Sequence, residues 1–474
     1  MTRALPLPGP GLLCVIGSVL ASMLVAPQAL RASGLSAEPG SFVRNVPITR
    51  DRVYREALAN HPSILIQAAQ YRSRTEEIGI QRASYFPTLS FDLDQLLVNT
   101  PVLGLVTPGL EPVPITAFIP KLNQEITGFG RRRNAVRAAR LALSSAKWRL
   151  EEARLDVVWN AGIAFERLAM SQHLYEAARE NERAAKVHLE QVTRRLKKGL
   201  AIWPDVTKAE FYWQKSVLAV VQIRDELHKA QVDLGFAMGL KSFVPFMAEG
   251  KTVSTFFPGD PERLVQFALE HRPLIQAFEK NDRSQESLVK TTFDKHLPRL
   301  SAFATGFLLY GVPPSVSGAP ATYGLFLPTY QMGISLSVPI FQGLKIVHET
   351  QSERAKYRSD LAETRLARIR VARNVRNVWF DLRTQEQTVR FDRARLGNAR
   401  ANRDLIEKKY DRGLADSVRL IEARAEFVSA TENLIAARYR YRMISDELQR
   451  QIGLMPSFSP SFGGERPPPQ KGAR

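Results

Sequence analysis

The pattern of apolar and polar positions changes period several times along the chain, and it does so twice in the same order. Short helical stretches are predicted near 48–60 and 261–271. Longer ones follow at 62–84 and 273–295, each opening on a proline and halting before another, Pro87 or Pro298. Alternation then takes over. In TLSFDLDQ, Leu89, Phe91 and Leu93 alternate with Ser90, Asp92 and Asp94. In QMGISLSVPI, Met332, Ile334, Leu336, Val338 and Ile340 alternate with Gln331, Gly333, Ser335 and Ser337. A two-residue period with one apolar and one polar face predicts strands. The strand pairs fall at about 86–126 and 298–340, and Pro/Gly-rich loops divide each pair. Helical periodicity resumes for about 70 residues, near 129–198 and 342–411, or roughly 105 Å of helix. A glycine hairpin, near 199–205 and 413–419, turns each run back into a helix near 204–239 and 417–452.

The recurrence is a duplication of one large unit. ALANHPSI (57–64) resembles ALEHRPLI (268–275), and SYFPTLSF (84–91) resembles KHLPRLSA (295–302). Pro62 and Pro273 are 211 residues apart, as are Pro87 and Pro298; Gly199 and Gly413 are 214 apart, as are Gly239 and Gly453. The near-constant offset gives a first repeat at 48–240, a linker at 241–260 and a second repeat at 261–454.

The return helices carry the sharpest pattern. Ala423, Phe427, Ala430, Leu434, Ala437, Tyr441, Ile444 and Leu448 alternate steps of four and three. Their first-repeat counterparts are Ala209, Trp213, Ser216, Val220, Ile223, Leu227, Ala230 and Leu234. A sustained 3.5-residue period predicts a coiled-coil seam. Leu155, Val158, Gly162, Phe165 and Ala169 show the same spacing on the first long helix.

Residues 1–32 read as a secretory signal, with Arg3 in the positive segment and an apolar run from Leu12 to Ala26 too short to span a bilayer comfortably. Residues 33–47 read as a linker and 455–474 as a flexible tail. The single cysteine, Cys14, lies in the signal, and Leu13 before it is not the small residue a lipidation site needs. No lipid anchor, disulfide or cysteine-ligated metal is expected. The net charge of +19 is spread among Glu and Asp along the helices, which suits a solvated surface or anionic headgroups better than nucleic acid. No apolar run near twenty residues follows the signal, so a membrane crossing requires a β-barrel.

This succession, with ALANHP and ALEHRP, the junctions LNQEITGFG and LSVPIFQG, and the hairpins KGLAIWPDVTKAE and RGLADSVRLIEARAEF, resembles the TolC-type outer-membrane efflux family. The resemblance covers nearly the whole chain after the signal. It implies an α+β membrane protein in which the duplicated long-helix unit forms a periplasmic α-barrel. Each copy of a homotrimer adds four strands to a shared twelve-stranded barrel in the outer membrane of a Gram-negative bacterium. Ser90, Asp92, Asp94, Ser335 and Ser337 then line the lumen, and the apolar strand faces meet outer-membrane lipid. The implied partners are a periplasmic adaptor and an inner-membrane pump of RND, ABC or MFS type. Their expected docking surface is Gly199, Leu200, Ala201, Gly413, Leu414 and Ala415. Tyr410 matches a family tyrosine that helps hold the entrance shut. The family's acidic positions, six and nine residues after the second hairpin glycine, are here Arg419 and Glu422, while the first repeat keeps Asp205. Arg419 predicts a less cation-selective entrance, unless Glu422 pairs with it.

Nothing in the sequence points to catalysis or to a cofactor. The seven histidines are scattered, and His61 and His271 beside the helix breaks read as structural. Arg131, Arg132 and Arg133 are either lipid-phosphate contacts or a solvated charge run. The leading function is an exit duct for efflux or type I secretion. The competing one is a soluble periplasmic scaffold or adaptor, which should carry a lipoyl-like β-region in place of amphipathic strands.

Overall fold

The computed structural model describes residues 46–98, 113–250, 259–311 and 325–455. The expected signal, most of the first linker, both strand-connecting loops, 251–258 and the tail from 456 onward lie outside the described residues. The elements run β1 (Val46–Thr49), α1 (Arg50–Asn60), α2 (Pro62–Ala83), β2 (Thr88–Val98), β3 (Val113–Thr127), α3 (Arg131–Lys197) and α4 (Trp203–Ala237). After β4 (Phe246–Glu249) come α5 (Pro261–His271), α6 (Pro273–Phe293), a 3-10 turn, β5 (Arg299–Gly311), β6 (Leu325–Ser337), α7 (Lys345–Asp411) and α8 (Ser417–Gln451).

The two long helices, α3 and α7, each run 67 residues, about 100 Å. Neither contains proline, and both are rich in the strong helix formers Ala, Arg, Glu and Leu. The medium, long and return helices lie side by side as a wall, with the short α1 and α5 packed on α3 and α7. α2 and α4 flank one side of α3, α6 and α8 the other, and α7 follows beyond α6 and α8. Ser145 Oγ donates to the Ala277 carbonyl at 2.8 Å and Ser284 Oγ to the Ala138 carbonyl at 2.9 Å, stitching the repeats where α3 meets α6. Small hydroxyl side chains allow that close approach.

Each repeat has its own core. Val53, Tyr54 and Ala57 of α1 pack with Val158, Phe165 and Leu234, while Val265 and Ala268 of α5 pack with Val371, Val375 and Leu448. Every seam position of both return helices is buried or half-buried. The stripe Leu155–Val158–Gly162–Phe165 on α3 is also buried. Val158 and Phe165 share a core with Leu234 of α4, and Gly162 leaves room for the Tyr54 ring of α1.

The linkers contain an element that the sequence reading missed. Val46–Thr49 pairs in parallel with Phe246–Glu249, burying Ile48 and Phe246 against α3. Four-residue strands drawn from segments about 200 residues apart carry no local periodic signal.

The prolines break helices as expected. His61 and Arg272, which precede them, are extended (φ −68, ψ 125 and φ −64, ψ 128), and the His61 ring caps α2 by accepting from Ser63 N at 3.2 Å. Each break is held by the glycine that ends the return helix. At Gly239 (φ 73) a Cβ would come within 2.8 Å of His61 Cα, and at Gly453 (φ 82) within 2.9 Å of Arg272 Cα. Both positions require a left-handed backbone and tolerate no side chain. Gly239→Ala or Gly453→Ala is expected to cost about 1–3 kcal/mol, read as a lower thermal midpoint of the purified protein. Gly79→Ala, in open space on α2, should cost nothing and serves as the control.

The large sheet has the order β2-β3-β5-β6, antiparallel throughout. One row across it reads Leu89–Leu122–Ala304–Met332, and the next reads Ser90–Lys121–Thr305–Gln331. In these rows apolar and polar residues fall on opposite faces, although the polar face also carries Ile119 opposite Asp92, Ala117 opposite Asp94 and Phe303 opposite Gly333. The apolar face is bare: Phe91, Leu93, Tyr330, Met332, Ile334 and Leu336 are all exposed. No helix among the described residues is long and apolar enough to cross a membrane.

Candidate functional site

Ser90, Asp92 and Asp94 on β2 and Ser335 and Ser337 on β6 share the polar face of the sheet, as alternation predicts, but from opposite edge strands. Pairing adds residues that single-strand reading missed. Lys121 lies opposite Ser90 and reaches Asp92 at 2.7 Å, while Glu125 and Ser301 continue the row of Ser335. Arg299 lies opposite Ser337. These residues belong to the partner strands, whose register no one strand reveals. The face is thus mixed in charge rather than acidic, and Asp92 is locally neutralised.

At the other end of the wall, the two hairpins are built alike. Leu200 N donates to the Arg195 carbonyl and Gly199 N to that of Leu196, both at 2.9 Å; Leu414 and Gly413 repeat the pattern at 2.8 and 3.0 Å. This 6→1, 5→2 pair closes a helix on a left-handed residue, and Gly199 (φ 73) and Gly413 (φ 76) supply it. Leu200 and Leu414 are 73% and 72% exposed, with Ala201 and Ala415 half-buried beside them. Ile202 and Trp203 extend the apolar tip of the first hairpin. The large aromatic at the start of a helix in a solvent-facing turn was the available signal.

The return helices start differently. In the second repeat Asp416 caps α8 by accepting from Arg419 N at 2.8 Å; in the first, Asp205 sits one turn in and accepts from Ile202 N at 3.4 Å. Arg419 and Glu422 are both exposed, and no ion pair joins them among the described residues. The cancelling pair considered from sequence is absent within the chain, because both side chains point to solvent from the first turns of α8.

Tyr410 is buried, and the Arg195 guanidinium stacks 4.3 Å from its ring centre and donates to its carbonyl at 3.4 Å. Burial pushes the Tyr410 hydroxyl up, Arg195 opposes this, and Asp205 acts in the same direction as burial. His188 packs edge-on against Tyr410 with its ring centre 5.7 Å away, 1% exposed. Burial, with Arg424 and Arg195 nearby, pushes its imidazole down to about 4, so it is neutral at ordinary pH. Arg424 in turn pairs with Glu407. The two repeats thus meet at the tip through Arg195 and His188 of α3 and Tyr410 of α7. Sequence reading found Tyr410 but neither α3 partner.

A second charged cluster joins the repeats farther from the tips. Arg50 of α1 reaches Glu166 of α3 at 3.4 Å and also pairs with Asp446 of α8, and Arg442 approaches Glu166 at 3.6 Å. Glu166 is wholly buried. Nearby, Arg272 meets Glu152 at 2.8 Å and Gln451 at 2.7 Å.

At the strand-to-helix junction, Arg131 pairs with Glu125 at 2.6 Å, and Arg132 donates to the carbonyls of Ser84 (3.0 Å) and Glu125 (2.6 Å). Both therefore brace the turn; within that run only Arg133 is exposed. No group of His, Asp or Glu suited to a metal ion occurs among the described residues.

The chain matches the family model described as outer membrane efflux protein over residues 53–240 and 264–454, one match per repeat. It is 23% identical over 404 residues to Protein CyaE of Bordetella pertussis, covering 82% of this chain and 81% of that one. It is 20% identical over 415 residues to outer membrane protein TolC of Vibrio cholerae, covering 85% and 90%. Among solved structures, the outer membrane protein VceC of Vibrio cholerae superposes with a TM-score of 0.73 at 16% identity, covering 86% of this chain and 97% of that one. The duplicated wall of helices, the half-bare sheet and these matches agree: the chain belongs to the outer membrane efflux protein family, whose members are channels of TolC type in the outer membrane.

Proposed function

We propose that this protein is the exit duct of a tripartite efflux or type I secretion system, carrying cargo passively from an inner-membrane pump and a periplasmic adaptor to the exterior. The observation that carries the reading is the four-stranded sheet. Its apolar face is uncovered, β2 and β6 have unpaired edges, and its strands continue into helices about 100 Å long. An open sheet edge in lipid leaves backbone groups unsatisfied at several kcal/mol each. β6 runs antiparallel to β2, so the edge of one copy suits the edge of the next. The helical wall ends likewise on α7 and on α2 with α4, where Ile369, Phe380, Phe211 and Phe236 are exposed. Family kinship supports a homotrimer with a twelve-stranded barrel.

In that assembly Ser90, Asp92, Asp94, Ser335 and Ser337 line the water-filled lumen. The tips at Gly199–Ala201 and Gly413–Ala415 dock the adaptor. Tyr410, Asp205, Arg419 and Glu422 form the entrance, where Arg419 opposes cations. Reversal potentials in a salt gradient test this: Arg419→Asp should raise cation selectivity severalfold, and no change would place Arg419 off the ion path. The bare apolar face counts against a soluble scaffold, which would have to cover it. Reconstitution decides the reading as a whole. A detergent-resistant trimer that conducts in a planar bilayer is the expected result, and a salt-extractable, non-conducting monomer overturns it.

A further inference from the structure

The groove between α2 and α3, directly beneath the sheet, carries chemistry that neither barrel nor tunnel requires. It is lined by Arg82, Tyr85, Phe86, Arg133, Arg137 and Arg140. The side chains of Arg82, Arg133 and Arg140 have no ion pair or hydrogen bond among the described residues. The carboxylate facing Arg137 is Glu286, which Lys290 already holds at 2.6 Å and Arg283 flanks. Phe86 is 67% exposed, in the link leading to β2.

The two long helices correspond at an offset of 214, Arg131–Lys197 with Lys345–Asp411. That offset sets Arg133, Val136, Arg137 and Arg140 against Val347, Thr350, Gln351 and Arg354, so the second repeat keeps one arginine where the first has three.

Position narrows the ligand. The helical period puts Arg133, Arg137 and Arg140 on the α3 stripe that later carries Gly162, where Tyr54 of α1 packs. A layer such as α1 inside a tunnel would block it, so this stripe faces outward; this step rests on the duct reading. Tilted strands of 11 to 15 residues roughly span the apolar band of about 25 Å, which brings the junction to headgroup depth. Exposed Tyr85, Phe86, Phe129 and Phe341 at the junctions have the placement of an interfacial aromatic girdle.

We propose that this groove binds the phosphate of an anionic phospholipid in the inner leaflet of the outer membrane. Arg133, Arg137 and Arg140 hold the headgroup, with Arg82 across the groove, and Phe86 sits at the acyl boundary. Guanidinium forks suit phosphate oxygens in two-point contact.

The test uses the full-length protein in mixed micelles with phosphatidylglycerol and phosphatidylethanolamine, counting retained lipids by native mass spectrometry. The wild type should retain phosphatidylglycerol preferentially. The triple variant Arg133→Gln, Arg137→Gln, Arg140→Gln should lose that preference by roughly tenfold or more, while the triple lysine variant keeps part of it. Both variants should remain trimeric and conduct as the wild type does. Equal retention of both lipids by the wild type, or a preference untouched by the glutamine variant, overturns the proposal. Trimers that fall apart in the glutamine variant while lipid preference persists assign the groove to a neighbouring copy instead. Wild type that does not conduct defeats the duct reading, and this proposal with it; conduction without lipid preference defeats this proposal alone.

Discussion

Met332→Arg combined with Ile334→Arg should leave the protein outside the membrane, whereas Ser335→Arg should insert and conduct. The three positions are neighbours on β6, and only their face differs. Met332 and Ile334 are 71% and 70% exposed on the apolar face, in rows with Ala304 and Ala302. An arginine on the lipid side of a barrel costs about 2–4 kcal/mol near mid-membrane, so the pair costs roughly 4–8 kcal/mol, enough to block assembly. Ser335 lies opposite Ser301 on the polar face, where an added cation meets water and changes ion selectivity instead. Outer-membrane fractionation with single-channel recording separates the outcomes. Normal insertion of the double variant, or failure of Ser335→Arg alone, would reverse the assignment of inside and outside.

Arg50→Met should be the most damaging single change away from the membrane, at about 3–5 kcal/mol near neutral pH. It removes the cation that serves both Glu166 and Asp446 and leaves two buried carboxylates with Arg442 as the nearest compensation. Burial already pushes both carboxyls above their ordinary range, with Arg50 pulling them back. A carboxyl with a raised folded pKa favours the folded state below its unfolded value, and that advantage fades as pH climbs through the folded value. Without Arg50 the folded values rise further and the window of loss moves upward. The gap in thermal midpoint between wild type and variant should therefore be wide at pH 8 and narrower at pH 5. A gap that does not change with pH would mean that lost packing, not stranded charge, causes the damage. Glu166→Gln in the Arg50→Met background should recover part of the loss, because it removes one of the two charges.

Local grammar was plain in this chain. Prolines at Pro62 and Pro273, glycines at Gly199, Gly239, Gly413 and Gly453, and the shift from a 3.5–3.6 period to a period of two mark the elements within a few residues of where they lie. Each of these signals acts through its own backbone or its own face, so a single strand of text contains it. The duplication strengthened them, since the same punctuation recurs at a near-constant offset. The hairpin glycines and the serines and aspartates on the polar face of the sheet were legible for that reason. Lys121, Arg195, His188 and the Arg50 cluster were not, since each acquires its role from a partner far along the chain.

The sequence by itself determined the repeat, the lengths of the helices, the two-faced strands and the positions of the turns. Tertiary structure alone decided the pairing of β1 with β4, the seating of Tyr54 of α1 against Gly162, the solvent-facing rather than paired state of Arg419, and the division of the arginines after Gly130 into braces and an open groove. The physical reason is common to all four. Periodicity states which face of an element is apolar or charged, but what meets that face depends on which distant segment packs there, and no local pattern records the choice.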